Sequence, residues 1–149
     1  MDTPLDPEER ARSPREHPII HHDNAFFWEG TKDGRLLYRA CARCGRIHHP
    51  SGPMCPQCNS VEWDVRQSSG KGEIYSFAIG YYPQFPGLEY PNPVVLVELE
   101  ENWRLVANLV GTDIEEIAIG LPVQVEFKYI DDELTVPQFR VIGPAKGQQ

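Results

Sequence analysis

The stretch CARCGRIHHPSGPMCPQCNS, residues 41–60, contains all four cysteines of the chain, arranged as two CxxC pairs. A CxxC turn brings two sulfur atoms to the same ion, and two such turns supply the tetrahedral set of four thiolates that zinc prefers. The pattern therefore predicts a zinc ribbon in which one ion is bound by Cys41, Cys44, Cys55 and Cys58.

A metal ion held by four cysteines is expected to be structural. Catalytic zinc keeps one coordination position open for water or substrate, whereas four thiolates close the shell. Two redox-active CxxC pairs are the weaker interpretation, since such pairs normally occur singly within an α/β pattern that this chain lacks. Iron in a rubredoxin-like site uses the same ligands, which leaves an electron carrier as one alternative function. His48 and His49 are surplus to coordination, and we interpret them as surface or packing residues.

Upstream of the ribbon, the sequence predicts a leader and one helix. Residues 1–20 are polar and rich in charge and proline, which predicts a disordered segment. Residues 21–70 form the predicted helix and ribbon, with the helix capped at Asp23 or Asn24 and ended at Gly34. A helix this short needs to dock on its own fold or on another protein, and the side chains available for docking are Phe26, Phe27 and Trp28.

Downstream of the ribbon, residues 71–149 are predicted to form a small barrel. Five short strands are predicted, at 73–82, 94–100, 103–111, 122–130 and 134–142, and the fourth alternates apolar and polar side chains as a half-buried strand does. A single helical turn, capped at Thr112 or Asp113, separates the third strand from the fourth. This order is that of an OB-fold barrel. With strands at 36–40 and 61–66 around the cysteines, the predicted fold class is mostly β.

Composition narrows the classes of function. The 149-residue chain has a formal net charge of −8, divided as −2 over residues 1–20, +1 over residues 21–70 and −7 over residues 71–149. Ribbons and OB barrels often bind single-stranded nucleic acid, which is a second alternative, but an acidic barrel repels phosphate backbones. Without an apolar run long enough for a membrane span or a signal peptide, we expect no membrane association and a cytoplasmic location.

The sequence contains none of the common catalytic motifs. We find no GxSxG elbow, no HExxH helix, no phosphate-cradling glycine loop and no cysteine beyond the two CxxC pairs. We therefore expect no catalytic residue in this chain.

The chain resembles the DUF35 family, a zinc-ribbon plus OB-fold family associated with acyl-CoA metabolism. The resemblance rests on FFWEG at 26–30, LLYRACARCGRIHHP at 36–50, MCPQCNS at 54–60, SGKGEIYSFAI at 69–79, and RLVANLVG followed by IGLPVQVEF. It covers roughly residues 23–142, and it is the order of these motifs that makes it specific.

The resemblance implies an accessory role. DUF35 proteins look like partners of thiolase-fold enzymes, which supply the nucleophile and the acyl-CoA chemistry, while the small protein shapes the active-site entrance. Some relatives accompany lipid-transfer-protein-like aldolases that shorten steroid-CoA side chains by retro-aldol cleavage, and others accompany thiolases or acyltransferases. We therefore expect a non-catalytic subunit present in two copies per partner dimer, with structural zinc and with acyl-CoA bound at the interface.

Two sets of residues are candidates for contacts in such a complex. The aromatic helix and the proline-rich loop between the first two barrel strands offer apolar anchors for the partner, namely Phe26, Phe27, Trp28, Phe85, Leu88 and Tyr90. Guanidinium groups match phosphate geometry, so the candidates for coenzyme A phosphates are Arg35, Arg39, Arg43 and Arg46.

Overall fold

The structure is a computed structural model that describes residues 15–145. The first fourteen residues of the predicted leader lie outside the described residues, and residues 15–20 have no regular secondary structure. Within residues 15–20, His17 contacts the barrel, with its Nε2 atom 2.6 Å from Oδ2 of Asp131.

The predicted helix is present as α1, Ala25–Lys32. Asn24 is the N-cap residue, but its side chain makes no capping hydrogen bond to the helix. Its Oδ1 atom instead accepts a hydrogen bond from the backbone N–H of His21, at 2.8 Å. Gly34 follows the helix with a φ of +70°, a left-handed conformation that favours glycine and ends the helix as predicted.

The ribbon is a three-stranded antiparallel sheet in the order β2-β1-β3. Its strands are β1 (Leu37–Cys41), β2 (Ile47–His48) and β3 (Trp63–Gln67). Helix α1 packs against β1 at Gly30, where an added Cβ atom would lie 2.7 Å from the Leu37 side chain. Glycine at this position therefore lets the helix and the ribbon sheet approach closely.

The remaining strands form a closed barrel in the order β4-β5-β6-β8-β7. All neighbours are antiparallel except β6 and β8, which are parallel. The strands are β4 (Lys71–Gly80), β5 (Asn92–Leu99), β6 (Arg104–Val110), β7 (Pro122–Asp131) and β8 (Leu134–Val141), with a 3₁₀ turn at Ile114–Glu116 between β6 and β7. The predicted fold class, mostly β with a short helix, a four-cysteine ribbon and an OB-fold barrel, is confirmed.

The barrel core follows the period-two alternation of the strands. Val95 and Val97 of β5, Val123 of β7 and Phe139 of β8 are fully buried. Burying an apolar side chain of this size contributes roughly 1.5–3 kcal/mol, so these positions carry much of the barrel's stability.

The part of the chain that the structure describes contains no helix with the length and apolar character of a membrane span.

Trp103 joins the ribbon to the barrel. Its indole stacks on the Tyr38 ring with the centroids 5.3 Å apart, and it is 4% exposed. The carboxylate of Glu101 accepts hydrogen bonds from the Trp103 indole, from the Ser68 hydroxyl and from the Ser69 backbone N–H. Burial raises the pKa of Glu101, but these donors outweigh burial and hold the pKa below its usual value. The segment between ribbon and barrel, at Ser68 and Ser69, is thus fixed to the β5–β6 hairpin.

Candidate functional site

The two CxxC segments fold into nearly identical turns. In the first, the N–H of Gly45 donates to the carbonyl of Cys41 at 2.9 Å, and in the second the N–H of Asn59 donates to the carbonyl of Cys55 at 2.9 Å. Gly45 and Asn59 both have positive φ angles, 79° and 61°. Glycine and asparagine are the residues that adopt this conformation most easily, so the residue after each CxxC pair allows the turn to close.

The four sulfur atoms converge on one point. The Sγ atoms of Cys41 and Cys58 are 3.5 Å apart, those of Cys44 and Cys55 are 3.7 Å apart, and all four lie within 4.8 Å of one another. A tetrahedral ion with metal–sulfur bonds of about 2.3 Å requires sulfur–sulfur edges of about 3.8 Å. The separations fit such an ion and are far too long for disulfide bonds, which measure about 2.05 Å.

The protein backbone favours the thiolate form of Cys41 and Cys55, whereas burial and the neighbouring cysteines raise the pKa of Cys58. A backbone N–H of Cys44 donates to Sγ of Cys41 and is the main reason that the Cys41 pKa is lowered to about 6. Cys41 and Cys55 are buried, whereas Cys44 is exposed. The arrangement can hold one ion in a closed four-sulfur shell and leaves no ligand position for a substrate.

The two histidines between the CxxC pairs do not belong to the four-sulfur cluster. His48 contacts the carbonyl oxygen of Pro50 through its Nδ1 atom, at 3.1 Å, and lies beside the Trp63 ring. His49 packs between the rings of Phe27 and Trp103, with centroid distances of 5.6 and 5.1 Å. His49 therefore packs at the meeting point of helix, ribbon and barrel.

The partly buried position of His49 predicts a pH-dependent stability. Burial, with a contribution from His48, lowers the His49 pKa to about 4, so the unfolded chain binds a proton between pH 4 and 6.5 that the folded chain does not. The free energy of unfolding should fall by about 2 kcal/mol between pH 7.5 and pH 5 from this group. His49→Gln should show a shallower acid dependence of Tm, and His22→Gln, at an exposed position, should keep the parent's profile. Identical profiles for all three proteins would contradict this assignment.

A cleft of about 350 Å³ opens where the three parts of the chain meet. Its walls come from α1, from the ribbon loop after His49, and from strands β6 and β8. Most of the lining is apolar and includes Trp28, Leu105, Val106, Val136 and Pro137. The cleft can accommodate a largely apolar group, and Arg15, His21, Asn24 and Asn108 are polar residues of its wall.

The structure divides the predicted partner-binding residues into buried and accessible groups. Phe27 is 6% exposed and belongs to the protein's own core, so its side chain is not available to a partner. Phe26 and Trp28 pack against this core but remain partly accessible. In the loop between β4 and β5, Phe85 is 52% exposed, and the hydroxyl of Tyr90 accepts a hydrogen bond from the Phe85 backbone N–H at 2.9 Å. Tyr90 thus shapes the loop, in which Phe85 is exposed together with Tyr81 and Tyr82.

The four candidate arginines do not form one cluster of free guanidinium groups. The Arg39 side chain is 11% exposed, lies 4.7 Å from the Phe26 ring centre and pairs with Asp23 at 3.5 Å. Its predicted role as a phosphate contact is not supported by this enclosed position, because the guanidinium serves to connect α1 to β1. Arg35 pairs with Asp33 at 3.2 Å. Arg43 and Arg46, on either side of the Cys44–Gly45 turn, are exposed, as is Arg35.

Two features of the site were not predicted from the sequence. The packing of His49 against Trp103 depends on a contact between residues that are far apart in the chain, and no local pattern signals it. The second feature is the run of uncharged residues at 74–88 within an acidic segment. The sequence shows this run, but we did not interpret it as part of the site.

Two family descriptions match the chain over adjacent segments. Residues 28–64 match the rubredoxin-like zinc ribbon domain of ChsH2, and residues 65–128 match the C-terminal OB-fold domain of ChsH2. The boundary between the two matches falls within β3.

Two similar proteins illustrate the range of relatives. The chain is 39% identical, over 85% of its length, to the 3-oxo-4,17-pregnadiene-20-carboxyl-CoA hydratase alpha subunit of Mycobacterium tuberculosis. It spans less than half the length of the hydratase alpha subunits that it matches, and 38% of this one. It is 31% identical to the benzoylsuccinyl-CoA thiolase subunit BbsA of Thauera aromatica, with 67% of this chain and 71% of BbsA covered.

A solved structure matches the fold closely. A chain of the Ltp2-ChsH2(DUF35) aldolase superposes with a TM-score of 0.80 at 45% sequence identity, and the match covers 84% of this chain and 98% of that one. The ribbon, the barrel and their order along the sequence are therefore shared, and the protein belongs to the DUF35 family, with the zinc ribbon and OB-fold domains of ChsH2.

Proposed function

We propose that this protein is a non-catalytic accessory subunit of a thiolase-fold acyl-CoA enzyme, specifically a retro-aldol lyase that acts on a steroid-type acyl-CoA. The observation that carries the proposal is the 45% identity to a DUF35 chain of an aldolase, over 98% of that chain. The relative named for a pregnadiene-carboxyl-CoA supports the steroid class of substrate. The closed sulfur shell supports a structural ion, which we propose to be zinc bound by the four cysteines.

A thiolase complex is the second candidate. The match to a benzoylsuccinyl-CoA thiolase subunit favours it, and the accessory role would be the same. The two candidates differ in the reaction that the partner performs, so they are separated by the partner's substrate and not by any residue of this chain.

The proposed role assigns a place to the cleft beside His49. Its walls are mostly apolar, and with a pKa of about 4 His49 is uncharged at neutral pH. Such a surface suits the uncharged acyl portion of an acyl-CoA at the entrance to the partner's active site. We place the coenzyme A phosphates near Arg43 and Arg46, because Arg35 and Arg39 are paired with carboxylates.

The partner contacts in this proposal come from Trp28, Phe26 and the loop that carries Phe85. A two-fold symmetric partner dimer presents each surface twice, so we propose two copies of this chain per dimer. We also propose a cytoplasmic location, because four cysteines placed to bind a metal ion need a reducing compartment to remain thiols.

Replacing Phe85 with serine tests the loop contact. A desolvated Phe side chain contributes roughly 1.5–3 kcal/mol, so Phe85→Ser should weaken binding to the Ltp2 subunit of the matched aldolase by at least about tenfold. Tyr90→Phe keeps the ring but removes the hydroxyl that orders the loop, and it should have a smaller effect. Binding is measured by titration of purified subunits, with zinc content and Tm as folding controls. Parent-like affinity of Phe85→Ser would exclude this loop as an anchor.

A further inference from the structure

The second half of β4 has a strand edge with which no strand within residues 15–145 pairs. On one side, β4 pairs with β5 as far as Gly80. On the other side, β4 pairs with the start of β7 over residues 71–73 only. Ile74 makes the last backbone hydrogen bonds on this side, with Leu121 and Gly120. In a strand, backbone N–H and C=O groups point alternately to the two sides. Residues 75–80 therefore present a row of backbone groups that is open to pairing.

Beyond Tyr75, whose ring centre lies 3.6 Å from the Arg104 guanidinium, this edge lacks the usual protection of free strand edges. Proteins normally place charged side chains, proline or bulges on such edges to prevent pairing with another chain. The outer strand β3 of the ribbon follows this rule, because it carries Asp64 and Arg66. Residues 74–88, IYSFAIGYYPQFPGL, contain no charged side chain. A bulge between Ile74 and Ser76 affects only the start of the open segment.

Exposed aromatic side chains accompany the open edge. Five of them lie between residues 75 and 85 and are 40–86% exposed, namely Tyr75, Phe77, Tyr81, Tyr82 and Phe85. At 150–250 Å² per aromatic residue, they expose roughly 500 Å². This is near the largest apolar patch of a typical monomer, and together with the backbone edge it approaches the ~800 Å² that each partner buries in a standard interface.

We propose that the open edge of β4, residues 75–80, pairs with a β-strand of the catalytic partner subunit and so extends the barrel sheet across the interface. This inference rests on the proposed function and adds the mode of contact. The edge leads directly into the loop that carries Phe85, so main-chain pairing and the loop anchor belong to one continuous surface. A second copy is disfavoured as the occupant, because each chain carries a net charge of −8 and a large net charge opposes self-association.

Hydrogen exchange tests the main-chain pairing directly. The amides of residues 76–80 are measured in the free chain and in its complex with Ltp2. Amides that point away from β5 should exchange at least about tenfold more slowly in the complex, because they gain an interchain hydrogen bond. Contacts through loop side chains alone would leave these edge amides unchanged.

A pair of lysine substitutions tests the same edge by binding. Ser76 and Ala78 are exposed, so the double variant Ser76→Lys/Ala78→Lys should fold and should bind Ltp2 at least about tenfold more weakly than the parent. The matched control is Val65→Lys, at a 50% exposed position on the charged edge strand β3, which should bind within about twofold of the parent. Zinc content and Tm of all variants should stay close to the parent values.

The possible outcomes separate the inference from the proposed function. If the parent binds Ltp2 but the double variant binds equally well and the edge amides gain no protection, β4 pairing is wrong and the accessory role stands. If the parent binds no thiolase-type subunit, both fail. If the isolated chain is a dimer in sedimentation analysis and the lysines make it monomeric, the occupant of the edge is a second copy, and the inference is overturned.

Discussion

Replacing Cys55 with alanine is expected to release the metal ion and unfold the ribbon. Cys55 is fully buried, and its sulfur lies 3.7 Å from that of Cys44 within the four-sulfur cluster. Structural zinc in small modules contributes about 10–16 kcal/mol to folding, and a ribbon that consists of a small sheet and two turns has little else to hold it. Metal analysis of the purified variant should give less than about 0.1 equivalents of zinc.

Met54 provides the matched control for this experiment. It precedes Cys55, is 48% exposed and supplies no sulfur to the cluster, so Met54→Ala should retain one equivalent of zinc and the parent's Tm. Iron in the parent protein, or a ribbon that stays folded in Cys55→Ala without metal, would contradict the structural zinc assignment.

Replacing Trp103 with alanine should cause the second largest loss. Removing a buried aromatic side chain costs about 3–5 kcal/mol, and here the loss also removes the stack on Tyr38 and the contact with His49. Because these residues join ribbon and barrel, the two units should unfold less cooperatively in the variant. Urea denaturation measures the loss of stability, and calorimetry measures the loss of cooperativity.

A conservative change at the same position separates stacking from hydrogen bonding. Trp103→Phe keeps a ring against Tyr38 but loses the indole N–H that donates to Glu101, so its cost should be closer to ~1 kcal/mol. Zinc content should be unchanged in both variants. A Trp103→Ala protein as stable as the parent would show that the junction does not couple the two units.

The sequence predicts those parts of the molecule whose signals are local. Two CxxC pairs with glycine or asparagine after them determine the ribbon turns, because the ligands of each turn are only three residues apart. The barrel strands follow from period-two alternation at positions such as Val123 and Val125, and the helical turn between β6 and β7 identifies the OB-fold order.

Features that depend on distant contacts were not predictable in the same way. Arg39 looks like a free cation in the sequence, but the fold places it against Phe26 and beside Asp23. Of the two predicted cap residues, Asp23 and Asn24, the N-cap is Asn24, yet its side-chain oxygen accepts from the His21 backbone N–H and not from a helix N–H. The open edge of β4 depends on where β7 ends its pairing, which is a property of the closed barrel and not of the strand itself.

The most direct test of the account is the cleavage of a steroid-type acyl-CoA with a hydroxylated side chain by three purified samples. These are this chain alone, Ltp2 alone, and the complex of the two, each with its zinc content measured. We expect no turnover by this chain, because the metal shell formed within residues 15–145 is closed and the sequence contains no common nucleophile motif, and we expect retro-aldol cleavage by the complex. Cleavage by this chain alone that a point substitution within it abolishes would contradict the account, as would the absence of any complex with a thiolase-type subunit.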